Sequence, residues 1–383
     1  MSVRASVQAA LVGAAAVTIA ATLAGPAAAA PAGGTGGDHS GTQAAMDAAV
    51  KDGVPGVAGQ AKDAHGTWKA TSGVGNIKTG KPRSPEDRYR VGSITKTFTS
   101  TVLLQLEAEG KLSLDDTVDK WLPGVVRGHG HDGRKITVRQ LLNHTSGIYN
   151  YTADETFGRT YFLKDGFFKH RYDTKAPEQL VGIAMSHKPV FAPGASWSYS
   201  NTNYVLAGMV IKSVTGHSYA TEIRHRIIEP LHLRATSVPG TRVTVPAPSS
   251  RAYSKLAETT TGPTYDVTKL NPSLASSAGE MISDSADLNR FYSALLRGKL
   301  LPPKQLKEMK TTVKTDGTAR YGLGIADISL PCGPHLWGHD GGIHGSSSLA
   351  VTTPDGRHSL AFNFNGDWSG DAGAVVTAEF CGK

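Results

Sequence analysis

Strand patterning sits at the two ends of this chain and helical patterning fills the middle, so any compact fold must bring the ends together. Near the N-terminal end, residues 54–62 and 67–74 alternate around Ala64-His65-Gly66, which predicts a hairpin. Near the other end, residues 321–330, 347–353 and 358–364 carry strand patterns, and Pro354-Asp355-Gly356 joins the last two. Between them, residues 138–142, 204–214, 219–228 and 284–296 have helical spacing, with Ser283 expected to cap the last. Short helices are also expected over 42–51 and 373–380. The simplest arrangement is α+β: one antiparallel sheet built from both chain ends, flanked by the terminal helices, with a mainly helical region inserted. The boundaries read as a sheet domain of 42–110 and 302–383 and a helical insert of 111–301.

The chain has 383 residues, 39% of them apolar and 19% charged, which suits a globular protein with a substantial core. The formal charge is +8, but no Arg/Lys tract carries interleaved aromatics, so nucleic acid is not indicated. A mildly basic surface suits an exported protein near anionic cell-wall polymer. Residues 1–29 read as a signal peptide: Arg4 precedes an apolar stretch over 9–23, Gly25-Pro26 breaks it, and Ala27-Ala28-Ala29 offers a cleavage site. Residues 30–41 read as a disordered Gly/Ala/Pro linker. Neither end suggests a membrane anchor in the mature protein. Cys332 and Cys381 are the only cysteines, and in an exported chain they are expected to pair. That bridge would close a loop of about 50 residues, worth about 4 kcal/mol in the chain-entropy model.

The chemistry-bearing stretch is Tyr89-Arg90-Val91-Gly92-Ser93-Ile94-Thr95-Lys96, which runs from an extended segment into a helix whose Phe98, Val102 and Leu106 would bury one face. Ser93 lies where that helix begins and Lys96 three residues on, which puts a hydroxyl and an amine on one face. Unpaired N–H groups at a helix start favour a nucleophile whose attack creates a negative oxygen, and a desolvated Lys can serve as its base. A second element, Tyr199-Ser200-Asn201, places a phenol and an amide two apart on a loop before a helix. The phenol can pass a proton and the amide can hold a carbonyl. A third, Trp337-Gly338-His339-Asp340-Gly341-Gly342, is a glycine-dense stretch that lets backbone approach a ligand, and His339 could donate into the site. The chain has no Gly-x-Ser-x-Gly elbow and no HExxH, and His129-Gly130-His131-Asp132 reads as a solvated loop rather than a metal site. Lys78-Thr79-Gly80 reads as a turn. No cofactor is implied.

With Ser93-x-x-Lys96, Tyr199-Ser200-Asn201 and His339-Asp340-Gly341 in this order, the chain resembles the penicillin-recognising serine hydrolases, and within them the secreted D-alanyl-D-alanine carboxypeptidases related to class C β-lactamases. Asn143-His144-Thr145-Ser146-Gly147 and the placement of Cys332 and Cys381 fit the same resemblance. It implies that Ser93 forms an acyl-enzyme, that Lys96 and Tyr199 move protons, that Asn201 orients the substrate amide, and that His339 stands in for the usual Lys. It also implies an oxyanion hole from the N–H groups of Ser93 and Gly342. The expected partner is a peptide, ester or amide substrate, and the expected state a monomer.

Two positions depart from the carboxypeptidases. Asp340 stands where they carry a Thr that meets the substrate's carboxylate, and Ala326 where they carry an Arg for the same group. The leading expectation is D-Ala-D-Ala carboxypeptidase activity. The alternative is an esterase or D-amino-acid amidase or peptidase acting on substrates without that carboxylate. A β-lactamase or a non-catalytic binder of cell-wall peptide ranks below both.

Overall fold

The computed structural model describes residues 38–382. The expected leader and residues 30–37 of the expected linker lie outside the described residues. The last two linker positions, Ser40 and Gly41, are helical, because α1 (Ser40–Lys51) starts earlier than the apolar spacing alone indicates. The Asp38 carboxylate accepts from the Ser40 N–H at 2.9 Å and so extends the helix start.

Nine strands form one antiparallel sheet. The N-terminal end supplies β1 (Gly56–Lys62), β2 (Thr67–Asn76) and β3 (Lys81–Pro82). The C-terminal end supplies β4 (Val313–Lys314), β5 (Arg320–Tyr321), β6 (Ala326–Ser329), β7 (His335–Ile343), β8 (Ser346–Thr352) and β9 (Ser359–Phe364). The order is β4-β5-β6-β7-β8-β9-β1-β2-β3. The two ends therefore meet inside the sheet, where β1 pairs with β9 from Val57 opposite Phe364 to Lys62 opposite Ser359. The strand expected over 321–330 is interrupted at Gly322–Gly324, where the Gly322 N–H donates to Ile325 O at 2.8 Å and turns the chain.

Alternation divides the sheet between two cores. On one face Val57, Leu349, Val351, Leu360, Phe362 and Phe364 pack against Met46 and Ala49 of α1 and Val375 and Val376 of α6 (Ala372–Cys381). On the other, Ala350 and Ala361 are small where α5 (Ser285–Leu296) lies close. Asp284, not the expected Ser283, caps α5: its carboxylate accepts from the Asp287 N–H at 2.8 Å, while the Ser283 hydroxyl is bonded to Thr236. Cys381, at the end of α6, is bonded to Cys332 in the turn before β7, with their Cα atoms 5.8 Å apart.

Beneath that second face runs α2 (Thr95–Ala108), which joins the sheet to the helical part of the chain. It is buried on nearly every side rather than on one face, a difference that its hydroxyls explain. Thr97 donates to Gly324 O at 2.7 Å and Thr99 to Ser277 O at 3.0 Å, so short polar side chains are satisfied inside the core. Phe98 stacks on Phe291 of α5 with ring centroids 3.7 Å apart. Helix α4 (Asn201–Thr215) packs on α2, and the short α3 (Val138–Leu142) packs in turn on α4. No described helix is long and apolar enough to cross a membrane.

Candidate active site

Ser93 lies in a single 3₁₀ turn, Gly92–Ile94, immediately before α2. Gly92 has φ +54°, and a Cβ there would sit 2.7 Å from Gly342 N, so only glycine lets this turn press against β7. On the strand side, a Cβ on Gly341 would lie 1.9 Å from Val91 O and 2.9 Å from Ser93 N. The nucleophile turn and β7 thus meet backbone to backbone, with Ser93 N and Gly342 N both at the contact.

Lys96 is wholly buried one turn below Ser93. Its Nζ lies 3.0 Å from Ser93 Oγ, 2.7 Å from Asn201 Oδ1 and 2.8 Å from Ala278 O. Burial pushes the amine well below the ordinary lysine range, and the Asp340 carboxylate pulls only partly the other way. Two of its three neighbours are carbonyl oxygens, which can only accept. A neutral amine spends its two N–H bonds on them and is left with one lone pair, aimed at the Ser93 hydroxyl.

Tyr199 closes the other side. Lys96 Nζ stands 4.8 Å from its ring centroid, and the buried phenolic oxygen has no hydrogen-bond partner. Burial pushes this phenol well above its ordinary range, Asp340 adds to the effect, and the neighbouring Ser93 hydroxyl opposes it. The group is therefore held protonated. Asn201 begins α4. Its N–H donates to Asn150 Oδ1 at 3.0 Å and its Nδ2 to Thr152 Oγ1 at 3.1 Å. The side chain expected to orient a substrate amide is thus also an acceptor that positions Lys96.

His339 departs from expectation. It is 2% exposed, and both ring nitrogens are occupied by the protein. Nδ1 lies 2.6 Å from the backbone oxygen of Asp340, an obligate acceptor, so Nδ1 carries the proton and Nε2 accepts from Tyr321 OH at 2.8 Å. The glycine-dense Trp337–Gly342 stretch is itself the body of β7. Successive residues of a strand alternate in direction, and the side chain reaching the cleft is Asp340, with 26% of it exposed. Its nearest basic contact is His339 Nδ1 at 3.4 Å, and no Lys or Arg among the described residues lies within 4.0 Å of it. Asp327, the acidic neighbour of Ala326, is turned to His335 at 2.8 Å. Strand β6 pairs with β7 only as far as Ala326 opposite Gly338, so the β7 edge from His339 onward is open.

Ser93, Asn201, Asp340, Gly341 and Gly342 line a cleft of about 420 Å³. Phe162, Leu256, Leu274 and Ile343 give it an apolar side. Sequence patterns did not reveal the Ala278 carbonyl, Thr152 or Tyr321, because backbone acceptors and single hydroxyl residues leave no spacing signature.

The Beta-lactamase family model matches residues 42–378. The chain belongs to this family. It is accordingly a serine hydrolase of the penicillin-recognising kind, and the sheet with its helical partner is the fold of that family. Penicillin-binding protein 4* of Bacillus subtilis (strain 168) is 28% identical over 315 residues, 76% of this chain and 64% of that protein. Protein flp of Staphylococcus aureus is 26% identical over 294 residues, 74% of this chain and 54% of that protein. The chain thus spans less than two thirds of the length of these curated relatives. Among solved structures, a D-stereospecific amidohydrolase from Streptomyces sp. is 61% identical, with a TM-score of 0.87, 91% of this chain and 100% of that one being covered. The D-amino acid amidase of Ochrobactrum anthropi SV3, complexed with D-phenylalanine, is 27% identical with a TM-score of 0.76, over 88% of this chain and 98% of that one.

Proposed function

We propose that this Beta-lactamase-family hydrolase is an amidohydrolase acting on amides and esters of D-amino acids whose leaving side bears no carboxylate. The observation that carries this is Asp340 facing the cleft beside Ser93 with no basic residue at position 326. Two unit charges 4 Å apart repel by about 4 kcal/mol at an effective dielectric of 20. A free C-terminal carboxylate placed there would lose orders of magnitude in binding. The D-stereospecific relative at 61% identity supports the same substrate class. The D-Ala-D-Ala carboxypeptidase reading therefore yields first place to its alternative.

In this mechanism Ser93 Oγ attacks the substrate carbonyl and its proton passes to the lone pair of Lys96. The new oxyanion lies between the N–H groups of Ser93 and Gly342. Tyr199, kept protonated by burial, gives its proton to the leaving nitrogen and is refilled from Lys96. Water then cleaves the acyl-Ser93 ester by the reverse transfers. The apolar side of the cleft accepts an apolar acyl side chain. The reading includes export, with the leader ending near Ala29; N-terminal sequencing of protein from the culture medium tests that part.

A panel of D- and L-amino-acid amides, aryl esters and a D-Ala-D-Ala peptide tests the substrate class. D-amides should be cleaved faster than L-amides and than the peptide, and Asp340→Thr should raise peptide cleavage, further so with Ala326→Arg. Efficient wild-type cleavage of the peptide, unchanged in Asp340→Thr, would refute the electrostatic argument.

A further inference from the structure

We propose that His144 is a positioning residue for Tyr199, fixing the turn that presents the phenol to Ser93. His144 follows α3, is fully buried, and holds φ +63°, a left-handed conformation uncommon for any residue other than glycine. Backbone strain of this kind persists only where the surroundings hold it. Here the reward is geometric. Nδ1 accepts from the Ser200 N–H at 3.3 Å and from Asn203 Nδ2 at 3.1 Å, so one ring atom ties down the residue after Tyr199 and the first turn of α4. Asn203 is fixed in turn by Ser146, whose hydroxyl donates to its Oδ1 at 2.6 Å. The imidazole face then packs on the Tyr199 ring with centroids 4.3 Å apart. On its other sides it meets Tyr204 at 5.3 Å and Tyr321 at 5.0 Å, and Tyr321 is the partner of His339.

Because Nδ1 receives an obligate donor, the His144 proton sits on Nε2, where it finds no acceptor. A charged ring would turn Nδ1 into a donor facing the Ser200 and Asn203 donors, and burial foremost holds the imidazole well below its ordinary range. The ring is thus a neutral wedge. It orients Tyr199 through Nδ1 and keeps water from the back of the phenol. The titratable groups around this wedge are Lys96 from α2, Tyr199 from the loop before α4, Tyr204 from the first turn of α4, Tyr321 from β5, and His339 from β7, with Asp340 acting from farther along β7.

This inference rests on Tyr199 carrying a proton in the reaction, as set out above. The test uses acylation by a neutral alkyl ester, whose alkoxide, like a leaving amine, needs the Tyr199 proton to depart, so the readout depends on the machinery and not on which amide is preferred. A wild type that is acylated by the ester but ignores D-amides would sink the substrate reading and leave this test intact. His144→Ala removes the acceptor. His144→Asn keeps an acceptor near the place of Nδ1 and tolerates positive φ. We expect His144→Ala to lose about 10- to 100-fold in the acylation rate with little change in KM, the size of a small misplacement of a reacting group. Its basic limb should move to lower pH as water reaches the phenol. His144→Asn should stay within about threefold of wild type, since Asn can occupy this backbone conformation. A folded His144→Ala with wild-type rate and pH profile would overturn the proposal. So would a His144→Asn that melts like wild type yet is slowed tenfold or more, and this second variant decides the matter if His144→Ala fails to fold.

Discussion

A neutral amine has two N–H bonds and one lone pair, and Lys96 has three neighbours. Asn201 Oδ1 and Ala278 O take the hydrogens, and Ser93 takes what is left. Protonation of Lys96 removes the base, so acylation should rise with pH through the depressed Lys96 pKa. Asp340 favours the charged amine. Removing that charge in Asp340→Asn should therefore lower the Lys96 pKa further and move the acid limb of kcat/KM, measured with a neutral ester, to lower pH. An unmoved or raised limb would contradict the sign. Ser93→Ala should abolish acylation without altering the melting temperature, and Lys96→Ala should cost about 10²- to 10⁴-fold, as general-base removal does. Retained burst-phase acylation in Ser93→Ala would exclude Ser93 as the nucleophile. Ser93, Lys96, Tyr199 and Asn201 could be picked out as candidates because each sits in a short motif whose spacing has a chemical meaning, and the fold brings them together around Lys96 Nζ. His339 and Asp340 were legible as a pair but not in their roles, because which of two neighbours faces a cleft depends on strand direction.

At the scale of the element, β7 explains both a success and a failure of pattern reading. Its glycines weaken any strand signal, yet they are what lets the strand touch its neighbours. A Cβ on Gly338 would lie 2.0 Å from Ala350 O, and one on Gly341 would enter the nucleophile turn. Gly341→Ala should therefore destabilise by about 1–3 kcal/mol, the range for overpacking, and should slow acylation more than the lost stability explains. Thermal melting together with burst kinetics separates the two effects, and an alanine variant with normal kinetics would show that the turn yields freely. Helix α2 was legible in position but not in burial: the spacing of Phe98, Val102 and Leu106 pointed to one buried face, whereas the carbonyls of Gly324 and Ser277 take the Thr97 and Thr99 hydroxyls and make the other faces internal too.

At the scale of the whole molecule, the two ends are tied twice, by β1 with β9 and by the Glu379 carboxylate, while Cys332–Cys381 pins α6 to the turn before β7 within the C-terminal end. Glu379 on α6 accepts from Thr42 of α1 at 2.8 Å and contacts His39 at 3.0 Å and His358 at 2.7 Å. Burial alone would raise this carboxyl, but its bonds to His358, His39 and Thr42 outweigh that and leave it below the ordinary glutamate range. A depressed carboxyl adds stability above its unfolded pKa, near 4.3, that fades as pH falls through the folded value. Glu379→Gln should thus lower the melting temperature at pH 7 and narrow the gap between pH 7 and acid; equal losses at both would point to packing alone. Cys381→Ser should cost about 4 kcal/mol if loop closure governs, read from denaturant unfolding. The pairing of cysteines and the joining of strands from both ends were visible in sequence because each uses a count or a period. The Glu379 cluster was not, since His39, His358 and Glu379 share no local pattern. The meeting of β1 and β9 also sets a rule for how the enzyme comes into being. A growing polypeptide displays Ser93 and Lys96 long before Gly342 and the β9 strand exist. Until the final segment docks, the hydroxyl has a base but nowhere to lodge the charge its attack creates. Reactivity is therefore not acquired by degrees during synthesis, and a clipped tail would silence a nucleophile some three hundred positions away, about the full sequence span of the sheet's long-range pairing.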